Sequence, residues 1–342
     1  MSYRAIKDDC IRGITLPLHL AMAHICIIHE NHEWTAPLCA ALDHLGLPYK
    51  EWFVNGGYVD LAAPPPQGVF YNRMSASSHS RGHRYAPEYT AAILDWLESH
   101  HRRVINSRRA LRLEISKIAQ YAALNAQGIR TPRTIAVAAR DEIVAAAGVF
   151  DGPFVTKHNR GGRGLGVRLF RNIKALQHYV DGSDFDPPVD GITLVQEYID
   201  APEPLITRCE FIGGEFFYAV RVDTTQGFEL CPADDCQLED ALCPTTTQQN
   251  SKFQVVKGFT HPILARYARF LKVNHIHIAG IEYVLDHNGE LFTYDVNVNT
   301  NYNRNAEAEA GVAGMRAVAT YLGGELRHVN EAMKRQQDAV VG

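Results

Sequence analysis

The segment Phe154-Val155-Thr156-Lys157-His158-Asn159-Arg160-Gly161-Gly162-Arg163-Gly164-Leu165-Gly166-Val167-Arg168-Leu169-Phe170 combines a fixed cation with four closely spaced glycines. An apolar strand delivers Lys157, and a second apolar strand returns after the loop. Glycine tolerates positive φ and lets a backbone approach closely, so Gly161, Gly162, Gly164 and Gly166 can wrap N–H groups around phosphate oxygens. The loop is not a Walker A loop, because G-x-x-x-x-G-K-[ST] is absent, nor a Rossmann turn, because a strand rather than a helix follows it. An ordinary hairpin with a flexible tip competes with this reading. Lys157 and a second group of residues downstream favour phosphate binding.

That second group lies in residues 278–298, where two strand-like runs flank Asn288-Gly289. This dipeptide favours a two-residue type I′ turn. With such a turn His287 faces Glu290, and counting back along both strands sets Glu282 opposite Asp295. Asn297 shares their face by the two-residue period. Two carboxylates and an amide oxygen on one face repel each other unless a cation sits between them, and hard oxygen donors suit Mg²⁺ held jointly with nucleotide phosphates. A solvent-exposed polar face is the competing reading, since Ile281, Tyr283, Leu285, Phe292, Tyr294 and Val296 on the other side are apolar, as in any half-buried strand.

The elements that must carry these residues can be read from periodicity. Residues 24–54 read strand, helix, strand: an apolar run at 25–29, a helix over 35–45 broken by Gly46 and Pro48, then a strand over 49–54. A further strand at 68–73 leads through a Ser/His/Gly loop to a helix near 87–99. Together they predict a small open α/β domain without a G-x-G-x-x-G turn. Asn72 and Arg73 end its strand; they are a cap and a surface charge, or substrate contacts at the carboxyl end of the sheet. A long helix is expected over 106–127, stopped by Gly128, and another over 139–147. After a Pro/Asp/Gly-rich joint at 181–191, strands follow at 193–199, 205–211 and 215–222. His275 and His277 alternate with isoleucine as on one side of a strand, in a structural or a general-base role.

With 342 residues, 46% hydrophobic and 21% charged, the chain has the balance of a soluble protein of two or three modules. A net charge of −4 and the lack of dense Lys/Arg runs argue against nucleic-acid binding. The most apolar N-terminal stretch, residues 16–28, is interrupted by His19 and His24, is too short to span a bilayer and lacks secretory-signal anatomy, so no membrane role is expected. Seven cysteines without regular spacing are expected to be reduced thiols of a cytoplasmic protein.

In this order, over residues 106–323, these features resemble the ATP-grasp superfamily, and within it the RimK-like carboxylate-amine (amino-acid) ligases, with glutathione synthetase more distant. The resemblance implies an ATP-grasp fold of α/β class with α+β character, preceded by an N-terminal open α/β domain. The implied units are 1–105, 106–192 with the lid, and 193–342 with the metal site. Lys117 falls at the family's first ATP-binding lysine, ahead of the run Gly128-Ile129-Arg130-Thr131-Pro132-Arg133-Thr134. Lys157 and the 161–166 loop match the second lysine and the phosphate-covering lid. Gln196, Glu197, Tyr198 and Ile199 match the hinge that reads adenine, with an acid nearby for the ribose. Arg208 and Arg221 resemble the paired arginines beside the transferred phosphate. Glu282, Asp295 and Asn297 match the ligands of Mg²⁺ or Mn²⁺.

The implied activity is ATP-dependent joining of a small-molecule carboxylate to an amine through an acyl phosphate; a homo-oligomer is compatible with it. An ATP-grasp kinase or a non-catalytic nucleotide-binding module are the alternatives, the latter disfavoured by the joint presence of Lys117, Lys157 and the metal acids. Three departures from the family pattern stand out. Glu282 replaces the commoner aspartate. The stretch after Asn297 lacks the small-Pro-Gly turn, leaving Asn299 and Arg304 as substrate candidates. Cys231, Cys236 and Cys243 lie among acidic residues where a basic stretch is usual; they lack zinc-site spacing, and the acids disfavour an acidic acceptor tail.

Overall fold

The computed structural model describes residues 23–162, 164, 166–225 and 252–341. The run HICIIH forms strand β1 (His24–His29), with Ile25, Ile27 and Ile28 fully buried. Asn31 caps helix α1 (His32–His44), its side chain accepting from the Trp34 N–H at 3.1 Å, as short polar side chains do at helix starts. The chain returns in β2 (Tyr49–Phe53) and continues through β3 (Gly68–Asn72), α2 (Ala86–Ser99) and β4 (Arg103–Ile105). All four strands are parallel, in the order β2-β1-β3-β4. This is the open α/β sheet expected from the sequence, extended by β4, which is too short to leave a periodic signal.

The single helix expected over 106–127 is two helices, α3 (Arg108–Ile115) and α4 (Lys117–Asn125). Ser116 between them is extended (φ −143°, ψ 107°), and its hydroxyl accepts from the Ala119 N–H at 3.3 Å. Asn159 supplies further acceptors to the same helix start: its carbonyl takes the Lys117 N–H at 3.1 Å and its side chain the Ile118 N–H at 2.9 Å. Apolar periodicity runs on across the break, so the pattern hides it; the serine's competing hydrogen bond makes it.

Strands β5 (Thr134–Val137), β6 (Phe154–His158), β7 (Arg168–Phe170) and β8 (Thr193–Glu197), with helices α5 (Ile143–Ala147) and α6 (Ile173–Asp181), build a second sheet. It is antiparallel with order β5-β8-β6-β7. Since β8 pairs between β5 and β6, the expected boundary at 192/193 falls inside this unit. A third antiparallel sheet, β11-β10-β9-β12-β13, uses β9 (Leu205–Ile212), β10 (Glu215–Asp223), β11 (Phe253–Val256), β12 (Ile278–Leu285) and β13 (Leu291–Asn297), with helix α7 (Ile263–Val273) before β12. Phe211, Ile281, Tyr267 and Phe270 form its core beneath α7. The strand expected around His275 begins only at Ile278. His275 has φ 53° just after α7, and His277 is half-buried with Nδ1 2.9 Å from the Tyr321 hydroxyl.

Two helices close the chain, α8 (Arg304–Ala310) and α9 (Gly314–Val341). Val318, Ala319, Leu322 and Leu326 of α9 share one core with Ile25, Ile27 and Leu38. The last helix thus completes the N-terminal unit, although the sequence assigns residues 193–342 to a C-terminal one. Asn106 joins the sheets: buried and held at φ 57°, its side chain donates to the Ile278 and Val298 carbonyls (2.9 and 2.8 Å) and accepts from the His277 and Ile278 N–H groups (2.9 and 3.0 Å). No helix among the described residues is long and apolar enough to cross a membrane. Cys26, Cys39 and Cys209 form no disulfide; Cys231, Cys236 and Cys243 lie outside the described residues.

Candidate functional site

A cavity of about 490 Å³ opens between the second and third sheets. Lys117, Lys157, Gly161, Gly162, Gly164, Gln196, Glu197, Tyr198, Ile199, Arg208, Glu282, Asp295, Asn297 and Asn299 all line it. The sequence-predicted phosphate loop, hinge and carboxylate hairpin therefore meet around one space.

On the hairpin, Glu282 does pair with Asp295. The route to that register differs from the expected one. The turn is longer than two residues, with the Asp286 N–H bonded to the Glu290 carbonyl and Leu285 facing Leu291. A bulge at Tyr294 then restores the pairing. The bulge also brings Tyr294 to the cavity, where its hydroxyl bonds Glu282, although alternation assigns it to the apolar face. Asn297 Nδ2 lies 3.3 Å from Glu282 Oε1 and 3.4 Å from Asp295 Oδ2. A flip of this amide presents its oxygen to the same point. With that flip the amide oxygen stands within about 3.4 Å of one oxygen of each carboxylate, and two carboxylates with an amide oxygen are hard donors of the kind that suit Mg²⁺.

Cations surround the acids. Lys117, as the first residue of α4, reaches Asp295 Oδ1 at 2.6 Å. Burial opposes ionisation of Asp295, yet the Lys117 ammonium beside it holds its carboxyl below the usual range. Burial raises Glu282 despite the Arg208 guanidinium. Arg208 is itself fixed by Glu210 Oε1 (2.5 Å), Glu282 Oε1 (2.8 Å) and Thr300 Oγ1 (2.6 Å). Its guanidinium lies over Gly280, where an added Cβ would be 2.6 Å from Arg208 Cζ. Lys157 donates to the Tyr121 hydroxyl, which Gln196 Nε2 also reaches at 3.0 Å. Burial, reinforced by Lys117, pushes the Lys157 ammonium down to about 7.

Several predicted contacts sit elsewhere. Arg221 is exposed and faces away from the cavity: β10 sets Val220, not Arg221, opposite Arg208. The cause is a bulge at Phe217, which shifts the β9–β10 register by one residue. Gly166, at φ 75°, packs on the His158 ring rather than lining the cavity. Asn72 is a strand-end cap, donating to the Asn106 carbonyl at 3.1 Å and accepting from the Met74 N–H at 3.0 Å. Arg73 is buried rather than at the surface, and positions the loop after β13 through Asn299 Oδ1 (3.2 Å), the Thr300 carbonyl (3.3 Å) and Asn301 Oδ1 (2.8 Å). Arg304 is an exposed residue at the start of α8 and does not line the cavity. In the hinge, the Glu197 and Tyr198 N–H groups are bonded to the Arg133 and Pro153 carbonyls, so those two donors are already engaged.

Residues without a sequence assignment complete the site. Tyr121 lies four positions after Lys117, a helical spacing that puts both on one face. Asn301 joins the already assigned Asn297 and Asn299 on the cavity wall, an alternation visible in the sequence. Glu114 accepts from the Val298 N–H at 2.8 Å, and burial pushes its carboxyl up to about 7; neither its spacing nor its type marks it. Trp34, Ser75 and Ser77 bring the N-terminal unit to the cavity wall.

No protein-family model and no curated protein matches the chain. Solved structures do. A RimK domain ATP-grasp protein from Sphaerobacter thermophilus superposes with a TM-score of 0.59 at 18% identity, covering 87% of this chain and 99% of that one. The fold is ATP-grasp. The D-cycloserine synthetase DcsG gives a TM-score of 0.60 at 16% identity over 88% of this chain and 99% of its own. The ATP-grasp ligase PsnB, complexed with a minimal precursor, Mg and ADP, gives 0.59 at 14% identity over 90% and 99%. The chain therefore matches these structures over nearly their whole length, at identities that do not separate one subfamily from another.

Proposed function

We propose that this chain is an ATP-dependent carboxylate-amine ligase that forms an amide or peptide bond on an amino acid or other small metabolite. The observation that carries the reading is the shared cavity: Lys157 beside the glycine loop and the Glu282–Asp295 pair, distant in sequence, line the same space. The similar structures include ligases and synthetases, one of them complexed with Mg and ADP.

A carboxylate is a poor acyl donor because its leaving group would be oxide. Transfer of the γ-phosphoryl of ATP to it gives an acyl phosphate, from which phosphate leaves when an amine attacks. Glu282, Asp295 and Asn297 would hold Mg²⁺ or Mn²⁺, which supplies charge neutralisation at the phosphates. Lys117, Lys157 and Arg208 add fixed positive charge at the same place. Tyr121 orients Lys157, and Glu210 with Thr300 orients Arg208. Gly161, Gly162 and Gly164 would cover the phosphates and exclude water. Residues 196–199 would border the adenine, and Asn299 and Asn301, held by Arg73, the acyl substrate.

The test is to incubate the chain with ATP, Mg²⁺ and a panel of amino acids, following ADP and phosphate release beside mass-spectrometric products. A condensed product is expected. A phosphorylated product that accumulates without condensation would replace the ligase reading with a kinase.

A further inference from the structure

At the carboxyl edge of the N-terminal sheet, away from the carboxylate hairpin, three ligand-type side chains converge: His29 at the end of β1, His32 at the start of α1 and Glu51 on β2. The β1–β2 register sets His29 beside Phe53, and Glu51 two residues earlier points to the same face. Glu51 Oε2 lies 3.1 Å from His29 Nε2 and 3.2 Å from His32 Nδ1. Ligand atoms around a tetrahedral zinc ion with bonds near 2.0–2.1 Å stand roughly 3.3 Å apart.

The His32–Glu51 contact is a hydrogen bond, but the His29–Glu51 contact is not. His29 is 1% exposed, and neither of its ring nitrogens has an aligned hydrogen-bond partner. Its Nε2 has the distance to Glu51 but not the direction. A cation shared between the two groups requires no linear N–H···O and accounts for this arrangement. The rings are also preset: Phe53 stacks on His32 with centroids 4.4 Å apart at 6°, and edges onto His29 at 5.5 Å. His32 and Glu51 remain accessible, with side-chain exposures of 65% and 36%, so an ion has a way in.

We propose that His29, His32 and Glu51 form a site for a zinc-type divalent cation, with three protein ligands and a fourth position open to water. The ion pins the first turn of α1 to the edge of β2. That turn carries Trp34, which lines the large cavity and lies under the Arg81 guanidinium, 4.6 Å from its ring centroid. The neighbouring Glu30 is already engaged by Arg81 and His83 and is not a ligand.

The test uses the untagged full chain, stripped with EDTA and titrated with Zn²⁺ against a chromophoric chelator. One equivalent binds at micromolar concentration or tighter, and Co²⁺ in its place gives the visible bands of four-coordinate geometry. H32A and E51Q change accessible side chains; each weakens Zn²⁺ binding by at least the roughly 10- to 100-fold that outer-sphere changes already cost, with melting curves in EDTA like the parent's. D295N retains the equivalent, which separates this site from the hairpin. One equivalent still bound tightly in both H32A and E51Q, or only six-coordinate Co²⁺ spectra from the parent, would overturn the proposal, and the ligase reading would stand or fall separately.

Discussion

Asp295 balances against Lys117 in a buried pair, and that balance sets what each does when a polyanion arrives. Replacing Asp295 with Asn keeps the volume and removes the charge. Turnover is expected to fall by about 100-fold or more, with Mn²⁺ binding lost in parallel. Because Lys117 loses its partner, the melting temperature drops as well, while unfolding stays cooperative; undiminished turnover would contradict the metal assignment. Lys157 gives a pH signature. Its folded value near 7 lies below the ordinary lysine value of 10.5, so at pH 8 it is mostly neutral in the free protein. A bound triphosphate favours the ammonium, so nucleotide binding at pH 8 should take up close to one proton and at pH 6 almost none. Calorimetry in two buffers of different ionisation enthalpy measures this, and K157M should abolish it. For stability the sign follows from linkage: the unfolded chain binds the proton more tightly, so the penalty from Lys157 is full below pH 7 and is relieved as pH rises from 7 towards 10.5. Glu282, Asp295, Asn297 and Lys157 stand out by type and spacing, and Lys117 only through the family resemblance; all five line the cavity. Glu114 was not, because its role comes from burial against residues far along the chain.

Strands and helices explain the rest through register. In β13 a bulge cancels a turn one residue longer than Asn288-Gly289 suggests, so counting from the turn reached the right pair by two offsetting errors. In β10 nothing cancels the bulge at Phe217, and Arg221 is turned to the wrong face. A one-residue slip exchanges the two faces of a strand, and neither bulge has a sequence marker. The α3–α4 break is similar, since Ser116 interrupts the helix without interrupting its apolar stripe. Gly280 is where β12 meets the site most closely. Gly280→Ala would force the guanidinium of Arg208 off its three partners, so we expect a loss of about 1–3 kcal/mol in chemical denaturation and at least tenfold lower turnover. Wild-type activity in this variant would show that Arg208 is not needed where it lies.

For the molecule as a whole, binding and folding are linked through the two sheets that enclose the cavity. At 100 times its Kd, ATP with Mg²⁺ should stabilise the chain by about 2.7 kcal/mol, and EDTA should remove most of the resulting rise in melting temperature. Equal shifts with and without the metal would argue against a joint nucleotide–metal site. Leu322→Ala on α9 tests the other long-range contact. Its side chain is fully buried in the core shared with β1 and α1, so a loss of about 3 kcal/mol is expected. Denaturation followed by Trp34 and Trp52 fluorescence measures it; a loss under 1 kcal/mol would mean that α9 is dispensable to that core. Most strands of the three sheets were legible from periodicity. The docking of the final helix on the first sheet was not, because an amphipathic stripe does not say which partner it covers.

That docking has a consequence on the ribosome. The strands of the first sheet are complete by Ile105, yet Leu322 and Leu326, which cover one side of it, are made more than 200 residues later. At ordinary elongation speeds this leaves an oily surface waiting for roughly 10–40 s. The packing of the first sheet can therefore be finished only after α9 emerges, more than 200 residues after its strands.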